Sequence, residues 1–159
     1  MALIKSISGF RGTIGGKTND GLTPIDTVKF VSAFAAFIKE TYNKENIKIV
    51  LGRDARVSGE MVSHLVVGTL MGMGVDVIDT GLSTTPTVEV AVTEKQADAG
   101  IILTASHNPM QWNALKFLNA KGEFISASEG QRVLELAASE DFLFAEVDKL
   151  GHCTSDTTT

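Results

Sequence analysis

Residues 100–109 read Gly100-Ile101-Ile102-Leu103-Thr104-Ala105-Ser106-His107-Asn108-Pro109, an apolar run that stops in a hydroxyl, an imidazole, a carboxamide and a proline. A short apolar run bounded by turn residues is the pattern of a strand buried on both faces. Open α/β sheets place their chemistry beyond the carboxyl ends of such strands. Residues 99–104 therefore predict a core strand, and Ser106 is the residue it delivers. A strand end with turn-forming Ser, Asn and Pro fits the same letters. A Ser-His hydrolase fits less well, because no Gly-x-Ser-x-Gly elbow surrounds the serine and adjacent residues of an extended chain point to opposite faces.

Working outward from this strand, helix and strand patterns alternate. Thr85 followed by Pro86 predicts a capped helix to about Lys95, with Val88, Ala91 and Val92 inward. Residues 75–80 alternate as a strand, and residues 61–73 predict a helix with Val62, Leu65, Val66, Leu70 and Met73 on its buried stripe, closed by Gly74. His64 falls off that stripe and reads as a solvated residue. Ile47 to Leu51 predicts another apolar strand. Thr23-Pro24-Ile25-Asp26 predicts a helix start, after which Ile25, Val28, Val31, Phe34, Ala35 and Ile38 recur at helical spacing to about Tyr42. Residues 3–8 read as a first strand.

Downstream of Ser106, residues 114–118 and 123–125 flank Asn119-Ala120-Lys121-Gly122, a hairpin with the glycine its turn requires. Ser126-Ala127-Ser128-Glu129 is a capping-box pattern ahead of a helix to about Ser139, with Val133, Leu134 and Ala137 inward. From Glu140 the chain thins into acidic and hydroxyl residues and is expected to close no further element. The fold predicted is a three-layer α/β/α domain with a sheet of about four main strands and helices on both faces. Residues 1–140 form the domain and 141–159 a C-terminal linker.

Composition narrows the partners. The 159 residues are 43% hydrophobic and 21% charged, with a net charge of −5, which describes a folded globular domain and argues against a broad nucleic-acid surface. Any anion must then be held by a local group of cations. The single cysteine, Cys153, can form no internal disulfide. Met1 to Ser6 lack the apolar content of a signal peptide, and no run approaches the ~20 apolar residues of a membrane span. The expectation is a cytoplasmic protein with neither nucleic acid nor membrane as partner.

Three segments could serve Ser106. Gly9-Phe10-Arg11-Gly12-Thr13-Ile14-Gly15-Gly16 is either a plain glycine turn or a backbone that lets Arg11 approach an anion. Gly52-Arg53-Asp54-Ala55-Arg56-Val57-Ser58-Gly59-Glu60 is either a phosphate site at a helix N-terminus or an internal Arg/Asp network that fixes a loop. Lys116 lies ten residues after Ser106 with a turn between. It is either a solvated surface lysine or a cation returned to the hydroxyl.

Thr104 to Pro109, with Asn113 and Lys116 downstream, resembles the phosphoserine loop of the α-D-phosphohexomutases, the family of phosphoglucomutase, phosphomannomutase and phosphoglucosamine mutase. The Arg11-Gly12 segment and Gly52 to Gly59 are similar to that family's N-terminal Arg-Gly and Gly-Arg-Asp-x-Arg-x-Ser-Gly segments, so the resemblance runs from about Ile4 to the C-terminus as the family's first domain. It implies a mixed sheet with the first strand antiparallel to the others. It implies that Ser106 carries a phosphoryl group and exchanges it with a hexose 1-phosphate or 6-phosphate through a hexose 1,6-bisphosphate. By resemblance Arg11, His107 and Lys116 are the further catalytic candidates, and Asn108, Asn113, Arg53, Asp54 and Arg56 support the loop.

The resemblance also implies Mg²⁺, with phosphorylated Ser106 as one ligand. The Asp-rich metal loop, the sugar-selecting loop and the distal phosphate loop of that family occur nowhere in these 159 residues. The implied partners are hexose phosphates and the remaining domains of a longer enzyme, and the chain alone is expected to be folded and inactive. Which of glucose, mannose or glucosamine phosphate is used stays open, with phosphoglucosamine mutase or a sugar-phosphate-binding module as alternatives. A metal-dependent phosphatase lacks its clustered ligands. One departure is Ala114, where the family commonly has glycine. Its Cβ restricts the backbone to negative φ and is expected to alter the loop around Trp112 and Asn113.

Overall fold

The computed structural model describes residues 2–6 and 9–157. Seven strands form one sheet in the order β1-β2-β6-β5-β3-β4-β7: Leu3–Ser6 (β1), Gly9–Thr13 (β2), Lys48–Arg53 (β3), Asp76–Leu82 (β4), Ala99–Leu103 (β5), Trp112–Leu118 (β6) and Cys153–Ser155 (β7). The helices are Pro24–Tyr42 (α1), Gly59–Gly72 (α2), Thr85–Glu94 (α3) and Ala127–Ser139 (α4). The expected last residues of the first strand, Ile7 and Ser8, lie outside the described residues.

Strands β3, β4, β5 and β7 run parallel, while β6 is antiparallel to both β5 and β2, and β1 is antiparallel to β2. The mixed sheet is as expected, and β1 does oppose the parallel set; β6 opposes it too, and β2 runs with it. Seven strands replace the expected four. Gly9-Phe10-Arg11-Gly12-Thr13 is a strand and not a glycine turn, because Phe10 is buried and pairs with Leu115 in the register Gly9 to Lys116. Packing overrides the low strand propensity of glycine there.

The tail, expected to close no further element, forms a strand. After a single 3-10 turn at Val147–Lys149, residues 153–155 pair with Val77, Ile78 and Asp79 at the far edge of the sheet. Gly151 makes this possible, since a Cβ there would stand 1.8 Å from the Val75 carbonyl oxygen. The polar letters hid the strand because an edge strand needs no apolar face.

Two cores cover the two faces. Ile49 and Leu51 of β3, Ile101 and Leu103 of β5, and Leu115 and Phe117 of β6 pack against α1, α2 and α4. Val50, Ile102 and Leu118 point the other way, onto Val88, Ala91 and Val92 of α3. Strict alternation along each strand therefore makes the third layer. Aromatic rings join the sheet to α1: Phe117 stacks on Phe34 with centroids 4.1 Å apart and meets Phe10 edge-on at 5.6 Å.

Helix starts follow their letters closely. Thr23 and Asp26 form a capping box, as do Ser126 and Glu129. At α3 the cap is Thr84 and not Thr85; its hydroxyl accepts from the Thr87 backbone N–H at 3.3 Å. Ile25 is 63% exposed while Asp26 and Thr27 beside it in the first turn of α1 are buried, so the buried stripe begins after Ile25. Leu65 and Leu134 are half-buried at the margins of their stripes, whereas Leu136 lies in the core. The hairpin turn forms with Gly122 at φ 75°, but its return arm is reduced to one bridge between Leu118 and Phe124.

Candidate active site

The loop after β5 and the side chains of β2 and β6 enclose an open cleft of about 290 Å³ lined by Arg11, Ser106, His107, Asn108, Ala114 and Lys116, with Ser6 at its margin. Ser106 is exposed at the loop tip in a left-handed conformation, φ 51°. For an L-residue that conformation costs roughly 1–2 kcal/mol, so the surroundings must hold it. The Ser106 N–H donates to Thr104 Oγ1 at 3.2 Å, and the Asn108 N–H closes the turn on the Ala105 carbonyl at 3.0 Å.

Lys116 reaches Ser106 from the neighbouring strand, its Nζ donating to Ser106 Oγ at 2.9 Å. It stands opposite Ile102 of β5 and Gly9 of β2, on the face of the sheet that also carries Arg11. Burial, then the nearby Arg11 guanidinium, lower the Lys116 pKa below its ordinary 10.5, with Asp54 opposing them. Because the folded chain holds this proton less tightly than the unfolded one, Lys116 opposes folding at neutral pH. That penalty is relieved as pH rises from the folded pKa toward ~10.4. Neither Arg11 nor His107 makes a side-chain hydrogen bond among the described residues, so both face the cleft uncommitted. A group carrying negative charge on Ser106 would meet the Lys116 ammonium in a cleft that Arg11 and His107 also line.

Phosphorylation of Ser106 adds about −1.5 to −2 charges beside the Lys116 ammonium, which favours the protonated form. Side-chain NMR titration is expected to show the Lys116 pKa below 10.5 in the free protein and raised on phosphorylation. An unchanged value would place the phosphate away from Lys116.

The remaining candidates divide. Arg56 lies behind the loop, its Nε on Asp54 Oδ2 at 3.3 Å, its Nη1 donating to the carbonyls of Pro109 (2.8 Å) and Trp112 (3.1 Å), and its Nη2 to that of Ser106 (2.8 Å). Asn113 is fully buried and donates to Ser58 Oγ at 2.9 Å, while its own Oδ1 accepts from the Ala114 N–H. Ser58 therefore meets β6 and makes no side-chain cap bond to α2, a role its position before a helix concealed. Arg53 is not brought to Ser106: it lines a separate cleft with Thr80, Ser83 and Thr84 at the ends of β3 and β4. Ala114 lies in regular β6 pairing opposite Arg11 and is absent from the positive-φ residues. It lines the cleft with its backbone at negative φ, the restriction its Cβ was expected to impose.

No group of three or more His, Cys, Asp or Glu among the described residues could hold a metal ion. The carboxylate at the loop, Asp54, is engaged by Arg56. A divalent cation needs several oxygen ligands, so these residues do not make a Mg²⁺ site. The described residues also contain no helix long and apolar enough to cross a membrane.

Seven strands between helices on both faces, with a cationic crevice around a loop serine, define a three-layer α/β/α domain with its site beyond the strand ends. A family model described as phosphoglucomutase/phosphomannomutase, alpha/beta/alpha domain I, matches residues 3–144, and the chain belongs to that family. A phosphoglucomutase/phosphomannomutase of Thermococcus kodakarensis is 38% identical over 142 residues, covering 88% of this chain and 31% of that protein. A probable phosphoglucosamine mutase of Methanosphaera stadtmanae is 34% identical over 150 residues, covering 93% and 32%. The crystal structure of a putative phosphomannomutase from Thermus thermophilus is similar with a TM-score of 0.79 at 27% identity, covering 97% of this chain and 33% of that one. The chain spans about a third of the length of these relatives.

Proposed function

We propose that the chain is the phosphoryl-carrying part of a longer phosphohexomutase, with Ser106 as carrier. The observation that supports this most is the 2.9 Å contact of Lys116 Nζ with the exposed Ser106 Oγ in a cleft shared with Arg11 and His107. In the first half-reaction a hydroxyl oxygen of a hexose phosphate attacks the phosphorus of phosphoserine. A new O–P bond forms, the P–Oγ bond breaks, and Lys116 donates a proton to Oγ. The proton of the sugar hydroxyl leaves to a base outside this pair. In the second half-reaction the neutral Lys116 amine withdraws the Ser106 proton as Oγ attacks the other phosphate of the bisphosphorylated sugar; the Oγ–P bond forms, the bond from that phosphorus to its sugar oxygen breaks, and the outside base returns its proton to the departing sugar oxygen. Phosphate thus moves between the 1 and 6 positions with no net consumption, and hexose 1,6-bisphosphate primes the cycle.

Arg11 and His107 would offset the charge on the equatorial oxygens, where fixed cations act most strongly. The chain contributes no step through Mg²⁺. A phosphoserine oxygen would be its one ligand here, and the carboxylates that complete a site would come from the remaining domains. Alone, the chain is expected to fold and not to turn over.

The full-length enzyme, primed with a hexose 1,6-bisphosphate, is expected to convert 1-phosphates to 6-phosphates. Assays with glucose, mannose and glucosamine 1-phosphates would identify the sugar, including the phosphoglucosamine mutase alternative. Tight calorimetric binding of hexose phosphates without turnover would instead indicate a binding module, and net release of phosphate a phosphatase.

A further inference from the structure

We propose that Arg56 is the positioning residue of the Ser106 loop: one guanidinium, oriented by Asp54, gathers the carbonyl oxygens of Ser106, Pro109 and Trp112 and so sets where the Ser106 hydroxyl stands. These carbonyls belong to the tip, the far limb and the exit of the loop, so fixing them fixes its curvature. The grip on the Ser106 carbonyl acts on the residue whose left-handed conformation needs support. Arg56 is itself well placed to hold, since its side chain is only 12% exposed and its backbone N–H also donates to Asp54 Oδ1 at 3.2 Å.

The chemistry requires arginine. A guanidinium presents five donors in a rigid planar fork, whereas an ammonium is a single point on a flexible stem. Lysine at 56 would keep the charge and lose the simultaneous grip on both Ser106 and Pro109. Asp54 orients the fork through Nε and leaves Nη1 and Nη2 for the loop. Arg53, the other arginine of this segment, lines a different cleft with Thr80, Ser83 and Thr84. The consequence for turnover rests on the reading of Ser106 as phosphoryl carrier; the consequence for loop geometry does not.

Two measurements on the 159-residue chain test the clamp. In the unmodified protein the Arg56 guanidinium is expected to rotate slowly about its Nε–Cζ bond, giving resolved Nη resonances at low temperature, because both Nη atoms are bonded. Averaged Nη signals would overturn the proposal without any mutation. In Arg56→Lys, amide exchange over residues 105–112 is expected to rise at least about tenfold while the melting temperature moves by less than about 4 °C. The Lys116 titration is expected to shift back toward its ordinary value as the loop opens over it.

Unchanged loop exchange and an unchanged Lys116 titration in a folded Arg56→Lys protein would remove the clamp. If that variant does not fold, the guanidinium rotation decides alone. In the full-length enzyme Arg56→Lys is expected to lower kcat about 10²-fold, the scale of a 1 Å misplacement, with KM changed little. Loosened loop exchange in an enzyme whose Ser106 carries no phosphate would keep the clamp and discard the mutase reading. A phosphorylated Ser106 with an unaltered loop would do the reverse.

Discussion

Ser106→Ala in the full-length enzyme is expected to abolish nearly all mutase turnover and leave the melting temperature within about 2 °C of the parent. The two outcomes separate because they depend on different neighbours. Ser106 is exposed, and among the described residues its hydroxyl hydrogen-bonds only Lys116 Nζ. In the proposed cycle, losing it removes the nucleophile and the phosphoryl carrier together. The loop itself should survive, since its carbonyls are held by Arg56 and its turn by the Asn108 N–H. Steady-state turnover with hexose 1-phosphate and a thermal melt check the pair. Turnover near the parent rate would contradict the assignment of Ser106. A melting point lowered by about 10 °C would mean that the hydroxyl is structural.

Phe117→Ala is expected to cost about 3–5 kcal/mol of unfolding free energy in urea titration, a large share of the roughly 5–15 kcal/mol that a domain possesses. Phe117 is fully buried, stacks on Phe34 at 4.1 Å with planes 9° apart, and meets Phe10 edge-on. Truncation empties the junction of β6, β2 and α1 at once, and two neighbouring aromatic rings cannot close such a gap without moving backbone. The same strand carries Lys116 as the preceding residue, on the opposite face, so the cavity should also loosen the Lys116 to Ser106 contact. A loss below about 1 kcal/mol would mean that the site collapses freely and that this aromatic cluster does not anchor β6.

Much of this molecule was legible in its letters, for physical reasons that differ by element. Capping boxes at Thr23 and Ser126 are local chemistry, so Pro24 to Tyr42 and Ala127 to Ser139 could be bounded from a few adjacent side chains. The apolar run before Ser106 marks a strand buried on both faces, and it is one. The two unforeseen strands have local sequences that argue against strands. Gly9 to Thr13 is held by the burial of Phe10, and Cys153 to Ser155 by a bare edge of β4. Both depend on partners far away in sequence.

The site divides in the same way. Arg11, Ser106, His107 and Lys116, read as catalytic candidates, line one cleft, and Asn108, read as loop support, lines it too; their roles are a matter for the assays, and Asp54 was read as a charged neighbour of the loop. Arg56 was legible only as support, because its acceptors are backbone carbonyls 50 to 56 residues distant, and a carbonyl carries no signature in the sequence. Ser58 was hidden by its position as an apparent helix cap. Arg53 could not be separated from Arg56 by letters, although the structure sends them to different clefts.

The central claim is that Ser106 carries the phosphoryl group, and peptide mapping of the full-length enzyme by mass spectrometry after incubation with a hexose 1,6-bisphosphate tests it most directly. A single phosphoryl adduct is expected on the peptide containing Thr104 to Pro109, fragmenting to Ser106, lost on incubation with excess hexose monophosphate and absent from Ser106→Ala. An adduct on another residue, or a fully active enzyme that never carries phosphate on Ser106, would contradict it.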